Sequence, residues 1–349
     1  MKSIITMLLL VSILHVKAQQ PDSVKIFVDS ALHVMQRNSF FADKVNWKKM
    51  QDTVHVLTRN ARTFKEAAPG IQYAFNALGD KHGWLAFGED EYRNPAFKFD
   101  TTRIPGNIKQ AALKGPRIYA GIVKNEYAYI SIPFFGGQTP EQMTAFSQRI
   151  QDSLYKIINE NTKGIIIDLR LNAGGNMFPM IAGLSSVLGQ TEFAIYPTPT
   201  NDLFERSLIT KEGVSVNGRL ITTLPKTYGD LSAHPVAILL GPVTGSAGEC
   251  VAASFVGRDK TIFVGEATAG FTTTNSGFLL HGDDYGIVLV TGYLRDRYVN
   301  IYEDNVKPDI KITGGDNFFN REHDQKIQAA VKWIEEQYKN KNLLTSNLR

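Results

Sequence analysis

Apolar residues recur every three or four positions along the first part of the chain, which is the spacing of one face of a helix. After two such stripes, Pro69 is suited to the first turn of a third helix and Gly79 to its end. The pattern predicts a small helical N-terminal domain over residues 19–112. The two stripes are Val24, Phe27, Ala31 and Met35, and then Trp47, Met50, Val54 and Leu57.

The pattern changes at residue 113, where runs typical of strands begin to alternate with helical stretches. Residues 164–169 and 236–240 are largely apolar, as expected for strands that are covered on both faces. Alternation of strand and helix predicts βαβ units, and therefore a largely parallel sheet in a domain over residues 113–340. Further strands are predicted at residues 127–135, 261–264 and 286–291, and helices at residues 139–159, 177–188, 247–256 and 324–338.

The first residues have the pattern of a secretory signal peptide. Lys2 supplies a positive charge, Ile4–Leu14 is nearly all apolar, and Val16 and Ala18 precede a suitable cleavage site. The apolar run is much shorter than the roughly twenty residues that a membrane-spanning helix needs. We expect a signal peptide over residues 1–18 and a secreted or periplasmic protein without stable membrane insertion. The alternative is a buried helix at the N-terminus.

Composition narrows the class of protein. Of the 349 residues, 43% are apolar, which is enough for a sizeable core. Cys250 is the single cysteine, so no disulfide can form within the chain. The formal charge of +4 is spread along the chain without a basic stripe, which argues against nucleic acid as a partner. No cofactor or metal is expected.

One serine lies in a turn that is suited to anion binding. Ser246 stands in Gly-Pro-Val-Thr-Gly-Ser-Ala-Gly-Glu, residues 241–249, between a buried strand and a helix. There it meets the positive end of the helix dipole and the unpaired N–H groups of the first helical turn. Such groups stabilise the oxyanion of an acyl-transfer intermediate, so Ser246 is a candidate nucleophile. The alternative is a serine that only caps the helix.

A second glycine-rich turn follows another buried strand. Residues 168–176 read Asp-Leu-Arg-Leu-Asn-Ala-Gly-Gly-Asn. The paired Gly174 and Gly175 can direct a main-chain N–H outward, and Asn172 can hold the turn through its side chain. The alternative is an ordinary strand-to-helix turn. The spacing of the glycines is not that of a dinucleotide-binding loop.

A nucleophilic serine needs a general base, and His82 is the most distinctive histidine of the mature chain. It lies in Leu-Gly-Asp-Lys-His-Gly-Trp, residues 78–84, with glycine on both sides. Glycines at these places indicate a backbone that comes close to another group. A purely structural histidine is the alternative. The other candidates are His33, His55, His234, His281 and His323.

Taken together, these segments resemble the tail-specific, or C-terminal processing, serine peptidase family. Residues 168–176 are similar to its D-L-R-x-N-x-G-G motif, residues 244–249 to its nucleophile motif, and residues 265–270 to its G-E-x-T-x-G turn. The resemblance covers about residues 126–312, besides the short His82 segment. It implies an α/β fold with a crotonase-like β-β-α spiral core and a peptide or protein as substrate.

The resemblance also implies the remaining catalytic roles. One branch of the family has a lysine directly after the G-E-x-T-x-G turn, but this chain has Phe271 there, which argues against a Ser–Lys dyad. The branch that resembles the tricorn-protease core takes its base from an L-x-D-x-H turn, which His82 matches. Its supporting carboxylate stands shortly before a V-x-P-D segment, which implies Glu303 or, as the alternative, Asp304.

We therefore expect a serine peptidase whose acyl-enzyme forms on Ser246. The resemblance implies that the N–H groups of Gly174 or Gly175, and of Ala247, surround the oxyanion. Too few residues lie between His82 and the core for a PDZ domain, which many family members carry. Selection of free C-termini by such a domain is therefore not expected.

Two other functions are compatible with the sequence. A protein of the same fold would bind a peptide or an apolar ligand without hydrolysing it. An α/β-hydrolase esterase would have G-x-S-x-G, but residue 244 is threonine, and its histidine would follow Ser246, at His281 or His323. A fluorophosphonate probe distinguishes the first of these functions from a peptidase, and replacement of His82 distinguishes the second.

Overall fold

In a computed structural model that describes residues 20–198 and 201–346, the chain divides into two units. The first comprises residues 20–94 and 277–288, and the second comprises the remaining described residues. The domain boundary expected between residues 112 and 113 stays a prediction. The predicted signal peptide lies outside the described residues. Within them, no helix combines the length and the apolar character needed to cross a bilayer.

Two amphipathic helices open the first unit, as the apolar spacing predicts. They are α1 (Asp22–Asn38) and α2 (Trp47–Thr58), and most of the residues of the two stripes are buried in them. Trp47 is half-buried, and Leu57 is the exposed exception, because it is 55% exposed. The stripe predicted for the second helix is therefore wrong at this one position.

The third helix, α3 (Phe64–Leu78), begins earlier than the position of Pro69 suggests. Its N-terminus is capped by Thr63, whose hydroxyl accepts a main-chain N–H of the first turn. Because this cap starts the helix upstream, Pro69 lies inside α3, and its assignment to the first turn is wrong. The predicted end is confirmed, since Gly79 follows the helix with a φ of 68°, a conformation that favours glycine.

A small antiparallel sheet completes the first unit. β1 (Trp84–Phe87) pairs with β2 (Asp90–Tyr92) and also with residues 285–288. The strand predicted over residues 286–291 therefore exists, but its first residues pair antiparallel with β1 and do not extend the parallel sheet.

In the second unit, strands and helices alternate. Its helices are α4 (Gly106–Leu113), α5 (Pro140–Tyr155), α6 (Met177–Gly183), α7 (Ser185–Leu188), α8 (Ala247–Ser254) and α9 (Gln325–Ser346). Its strands are β3 (Tyr119–Val123), β4 (Tyr127–Ser131), β5 (Gly164–Asp168), β6 (Glu192–Thr198), β7 (Asn201–Thr210), β8 (Gly213–Val216), β9 (Arg219–Thr223), β10 (Val236–Leu240), β11 (Thr261–Gly265), β12 (Thr273–His281), β13 (Tyr285–Arg295), β14 (Ile301–Tyr302) and β15 (Ile310–Lys311). The boundary between the units falls within β12 and within β13.

A six-stranded sheet in the order β15-β11-β10-β5-β4-β3 carries the core of the second unit. All neighbouring strands run parallel except β3 and β4. The largely parallel sheet is therefore confirmed, and β5 and β10 are buried along their whole length as predicted. Because parallel strands end at one edge of a sheet, the loops after β5, β10 and β11 come together there.

Alternate side chains of this sheet face opposite layers of helices, as the pleat of a strand requires. Ile165 and Ile167 of β5 belong to the core cluster that includes apolar side chains of α5, α6 and α8. Ile166, between them, belongs to a second cluster with Ile327 and Ile334 of α9. Helices on both faces explain why this strand is apolar at successive positions.

The antiparallel sheet of β6, β7, β8 and β9 was not predicted from the sequence. Its strands lie in the largely polar stretch between the predicted elements at residues 177–188 and 236–240, where no continuous apolar run marks them. The helix predicted over residues 177–188 is also divided in two at Leu184.

Candidate active site

The loops after β5, β10 and β11 are joined by hydrogen bonds to the buried Thr244. Its hydroxyl donates to the carbonyl of Leu169 at 2.8 Å and accepts the N–H of Gly241 at 3.0 Å. Its carbonyl accepts the N–H of Ala269, in the loop after β11, at 2.7 Å. One threonine therefore fixes the relative positions of three loops at the carboxyl edge of the sheet.

Ser246 adopts a backbone conformation that is unusual for any residue other than glycine. Its φ of 51° and ψ of −115° are those of the second residue of a type II′ turn, which glycine normally occupies. The turn is closed by a hydrogen bond of 2.9 Å from the N–H of Gly248 to the carbonyl of Gly245. Such a conformation costs about 1–3 kcal/mol and is concentrated at functional sites.

The helix that follows Ser246 begins with hydrogen bonds made by main-chain groups and by Glu249. The carbonyl of Ser246 accepts the N–H of Glu249 at 2.9 Å and that of Cys250 at 3.0 Å, and the Glu249 carboxylate accepts the N–H of Ser246 at 2.8 Å. The N–H of Ala247, the first residue of α8, has no acceptor among the described residues. A half-buried hydroxyl thus lies at the positive end of a helix dipole beside an unpaired main-chain donor.

The turn after β5 is held by the side chain of Asn172. Its oxygen accepts the N–H of Gly174 at 3.0 Å, so this N–H is already engaged. The N–H of Gly175 has no acceptor within residues 20–198 and 201–346. Both glycines have a positive φ, 121° and 101°, which other residues rarely adopt. Of the two glycines, we therefore keep Gly175 as the expected oxyanion donor.

The two glycine-rich turns are in contact at Gly174 and Ser246. A Cβ atom on Gly174 would lie 2.9 Å from Cβ and 3.4 Å from Oγ of Ser246, so only glycine fits there. The N–H of Gly245 also donates to the carbonyl of Asn172 at 2.9 Å. The structure therefore brings together four of the candidate site residues: Ser246, Gly174, Gly175 and Ala247.

Glu249 is a fully buried carboxylate whose position the motif alone does not explain. Its two oxygens accept four hydrogen bonds, from the hydroxyl of Thr268 and from the N–H groups of Ser246, Gly270 and Phe271. Burial raises the pKa of the Glu249 carboxyl above its ordinary value, although these hydrogen bonds oppose the change. The carboxylate joins the Ser246 turn to the loop after β11.

The segment that carries Glu303 is bound to the same loop. The hydroxyl of Thr268 accepts the N–H of Val306 at 2.8 Å, and the carbonyl of Asp304 lies 2.4 Å from where a Cβ on Gly270 would stand. Glu303 is exposed and makes no hydrogen bond or ion pair with any described residue. The supporting roles of Glu303 and Asp304 stay predictions.

His82 lies in the first unit, in the turn that follows α3. The fully buried Asp80 accepts, with one side-chain oxygen, the N–H of His82 at 2.9 Å and that of Gly83 at 2.7 Å. A side chain on Gly83 would meet the carbonyl of Val288 at 2.4 Å, which explains the glycine after the histidine. His82 itself is 8% exposed. Its approach to Ser246, which belongs to the other unit, stays a prediction.

We expect Asp80→Ala to lower the free energy of unfolding by about 1–3 kcal/mol, because two buried N–H groups lose their acceptor. Asp80→Asn keeps the side-chain oxygen that both groups use and is expected to lose less. Urea unfolding followed by circular dichroism measures the two variants against the unchanged protein. Equal losses in both variants would contradict the role given to this oxygen.

The charged residues of the Asp-Leu-Arg motif belong to a buried ion cluster. The guanidinium of Arg170 donates to Asp168 and Asp324 at 2.6 Å each and to Asp316 at 2.8 Å. Burial lowers the pKa of Arg170 and raises that of Asp168. The attraction between the opposite charges is stronger, so the pKa of Arg170 lies above and that of Asp168 below its ordinary value.

In the described part of the chain, no group of His, Cys, Asp and Glu side chains is placed to hold a metal ion.

Comparison with known proteins relates these features to a family. A family model described as "Peptidase family S41" matches residues 126–312, which include Ser246, both glycine-rich turns and Glu303 but not His82. Among curated proteins, the nisin-resistance protein of Lactococcus lactis subsp. lactis is 26% identical over 320 residues, covering 91% of this chain and 89% of that protein.

Two solved structures, a bacterial lipoprotein and a processing protease, have folds similar to that of this chain. A lipoprotein from Streptococcus agalactiae has a TM-score of 0.67 and 21% identity, covering 95% of this chain and 100% of that chain. The photosystem II D1 C-terminal processing protease has a TM-score of 0.55 and 12% identity, covering 84% of this chain and 94% of that chain. At these identities the likeness concerns the fold alone.

Proposed function

This chain belongs to peptidase family S41, and from that premise we propose that it is a serine-type peptidase that forms an acyl-enzyme on Ser246. His82 is the proposed general base. Peptides or proteins are the proposed substrates, because the family is one of peptidases. The family resemblance inferred from the three motifs is confirmed by the family match, whereas the catalytic roles of individual residues are part of this proposal.

The conformation of Ser246 is the observation that carries the proposal. A serine that only capped α8 would have the extended backbone conformation usual for a helix cap and would not need a positive φ. Here the strained turn is retained, and the capping bonds are made by backbone groups and by Glu249. Strain of this kind, at the junction between a buried strand and a helix, supports a nucleophile presented at the edge of the sheet.

The proposed reaction assigns each proton and bond. His82 takes the hydroxyl proton of Ser246 while its oxygen bonds to the carbonyl carbon of the substrate. The resulting oxyanion accepts hydrogen bonds from the N–H groups of Gly175 and Ala247, and one such donor contributes about 3–4 kcal/mol to transition-state stabilisation. The carbon–nitrogen bond then breaks, and the leaving amine receives the proton from His82. Water releases the acyl group by the same steps.

Glu303 is proposed to orient the imidazole or to balance its charge, with Asp304 as the alternative. The contact of this segment with the loop that Glu249 holds supports the proposal, since it links the carboxylates to the Ser246 turn. A carboxylate in this role orients the imidazole and stabilises the charge that the imidazole acquires.

The finer features of fold and location belong to the same proposal. We propose a crotonase-like β-β-α spiral core over residues 113–340 and a helical domain over residues 19–112. The proposed location is secreted or periplasmic, after removal of residues 1–18. It is supported by the similarity to a protein described as a lipoprotein and to a nisin-resistance protein.

Labelling with a fluorophosphonate probe tests the proposal. The unchanged protein should acquire one adduct, which peptide mass spectrometry locates on Ser246, and Ser246→Ala should acquire none. Ser153→Ala, at a half-buried serine of α5, is the matched control and should label normally. Absence of labelling in folded, unchanged protein would favour a binding protein of the same fold and would contradict the catalytic proposal.

A further inference from the structure

A cavity of about 340 Å³ opens in the second unit beside the carboxyl ends of β4 and β5. Its wall combines three cationic side chains, Lys114, Arg117 and Arg321, with aromatic rings that include Tyr119 and Phe319. No motif of the sequence points to this cavity, and the proposed catalytic steps do not use it. Cations on aromatic walls in a concave site are the features of a site for an anionic ligand with an apolar part.

Two of the three cations of this cavity lie over aromatic rings, and none of the three is paired with a carboxylate of a described residue. The guanidinium of Arg321 lies 3.8 Å from the ring centre of Tyr119 and 4.9 Å from that of Tyr129, and Lys114 Nζ lies 3.8 Å from that of Phe319. Among the described residues, no ion pair is formed by Lys114, Arg117 or Arg321. Their charge is therefore available to a ligand.

The one acidic side chain in the wall does not neutralise this charge. Asp168 accepts hydrogen bonds from the guanidinium of Arg170 and from the hydroxyl of Tyr129, so both its oxygens are occupied. Burial, together with the charge of Asp168, raises the pKa of Tyr129, which therefore remains a neutral donor. The Asp168 carboxylate is thus already bound to Arg170 and Tyr129, and it forms no ion pair with the cations of the cavity wall.

We propose that this cavity binds a carboxylate carried by an apolar group. The Arg321 guanidinium lies against two tyrosine rings, and the edge of a guanidinium suits the two oxygens of a planar carboxylate. The aromatic walls supply apolar contact for the group that carries it. The source of the carboxylate is either the end of a peptide chain or an acidic side chain.

The position of the cavity links it to substrate binding, and this link rests on the proposed function. Leu171 and Pro133 both line the cavity. Leu171 lies three residues before Gly174, and Pro133 lies two residues before Phe135, which pairs with Gly175. Three residue steps span at most about 11 Å, the length of three residues of extended peptide. A carboxylate bound here would therefore lie a few residues from the scissile bond.

Calorimetric titration of the full-length Ser246→Ala protein tests binding without hydrolysis. The probes are acetyl-Ala-Ala-Phe with a free carboxylate, the same peptide as an amide, and acetyl-Ala-Glu-Phe-amide. We expect at least one carboxylate probe to bind about tenfold or more tightly than the uncharged amide, as for loss of one charged hydrogen bond. Tighter binding of the first probe identifies a chain end, and tighter binding of the third an acidic side chain.

Three arginine variants decide whether this cavity is responsible. Arg321→Gln should lower the affinity for the carboxylate probe about tenfold. The exposed Arg117→Gln should also weaken it, and this variant keeps the test valid if Arg321→Gln fails to fold. Arg149→Gln, at an exposed arginine of α5, is the matched control and should have no effect.

Equal affinity for all three probes, or equal losses in all three variants, would overturn the proposal. The proposal would also be overturned if inorganic phosphate displaced the probe at a lower concentration than acetate does, because the site would then prefer phosphate to a carboxylate. None of these results depends on catalysis by Ser246. If the fluorophosphonate probe labels Ser246 but no carboxylate binds, only the proposal for the cavity is rejected. If a carboxylate binds but Ser246 is not labelled, only the proposal that Ser246 is the nucleophile is rejected.

Discussion

Replacement of His82 by alanine is expected to lower kcat/KM for peptide hydrolysis by roughly 10⁴-fold or more, the size of loss seen when the base of a serine triad is removed. The reason is that Ser246 is a weak nucleophile until a base takes its proton. The loss should fall on kcat with little change in KM, because the imidazole acts on the transition state and not on substrate binding. A peptide-library digest read by mass spectrometry identifies a cleaved peptide for these kinetics.

His33→Ala is the matched control for this experiment, since His33 is an exposed histidine of α1 in the same unit. It should keep full activity. Partial rescue of His82→Ala by added imidazole would distinguish a chemical role from a structural one, because free imidazole cannot restore a lost packing contact. Full activity of a folded His82→Ala protein would reject His82 as the base and would point to a histidine after Ser246, as in an α/β-hydrolase.

The parallel sheet could be predicted from the sequence because burial on both faces leaves a plain signal. The run from Ile165 to Ile167 is apolar at successive positions, since α9 covers one face and α5, α6 and α8 the other. The antiparallel sheet from β6 to β9 has no such run, so periodicity did not reveal it. Pro69 was misplaced for a related reason, because two signals for a helix start competed and Thr63 supplied the stronger cap.

The site could be predicted only as far as local strings describe it. Each glycine-rich turn is formed by residues that are close together in sequence, which is why Ser246, Gly174 and Gly175 could be identified from local strings. The structure then brings the two turns together. The engagement of Gly174 by Asn172 depends on the angle of one side chain, which no spacing specifies. Glu303 and His82 lie far from Ser246 in sequence, so their roles rested on family resemblance and still require the kinetic test.

Glu249 illustrates how a visible signal can be only partly interpreted. A glutamate three residues after a serine is the pattern of a capping box, and its carboxylate does accept the Ser246 N–H at 2.8 Å. The same carboxylate accepts three further donors from the loop after β11, which no local pattern indicates. The residue therefore holds two loops together besides completing a helix cap.

We expect Glu249→Gln to lower both stability and activity, because the amide can accept at only one of the two carboxylate positions. One position serves Thr268 and Gly270, and the other serves Ser246 and Phe271. In one orientation the NH₂ group faces the N–H groups of Ser246 and Phe271, and in the other it faces the N–H of Gly270 and the Thr268 hydroxyl, which would have to accept instead of donate. At least one buried N–H therefore loses its acceptor, at a cost of about 1–3 kcal/mol each. Urea unfolding measures this loss.

The effect on activity should exceed what reduced stability explains, since Glu249 is proposed as a positioning residue for Ser246. A shift of about 1 Å in a reacting group can cost roughly 10²-fold in rate, so kcat and the rate of fluorophosphonate labelling should fall together while KM stays nearly constant. Both are measured at a temperature where circular dichroism shows the variant to be folded. Glu160→Gln, at an exposed glutamate, is the control and should change neither quantity.

A folded Glu249→Gln protein that labels at the normal rate would show that the strained turn of Ser246 is maintained without the carboxylate. The conformation would then be fixed by the remaining contacts: the Thr244 hydrogen bonds, the closure from Gly248 to Gly245, and the fit against Gly174. The stability loss would remain in that case, because the buried donors lose their acceptor whether or not the serine moves. Comparing the two measurements therefore separates the role of Glu249 in folding from its role in presenting the nucleophile.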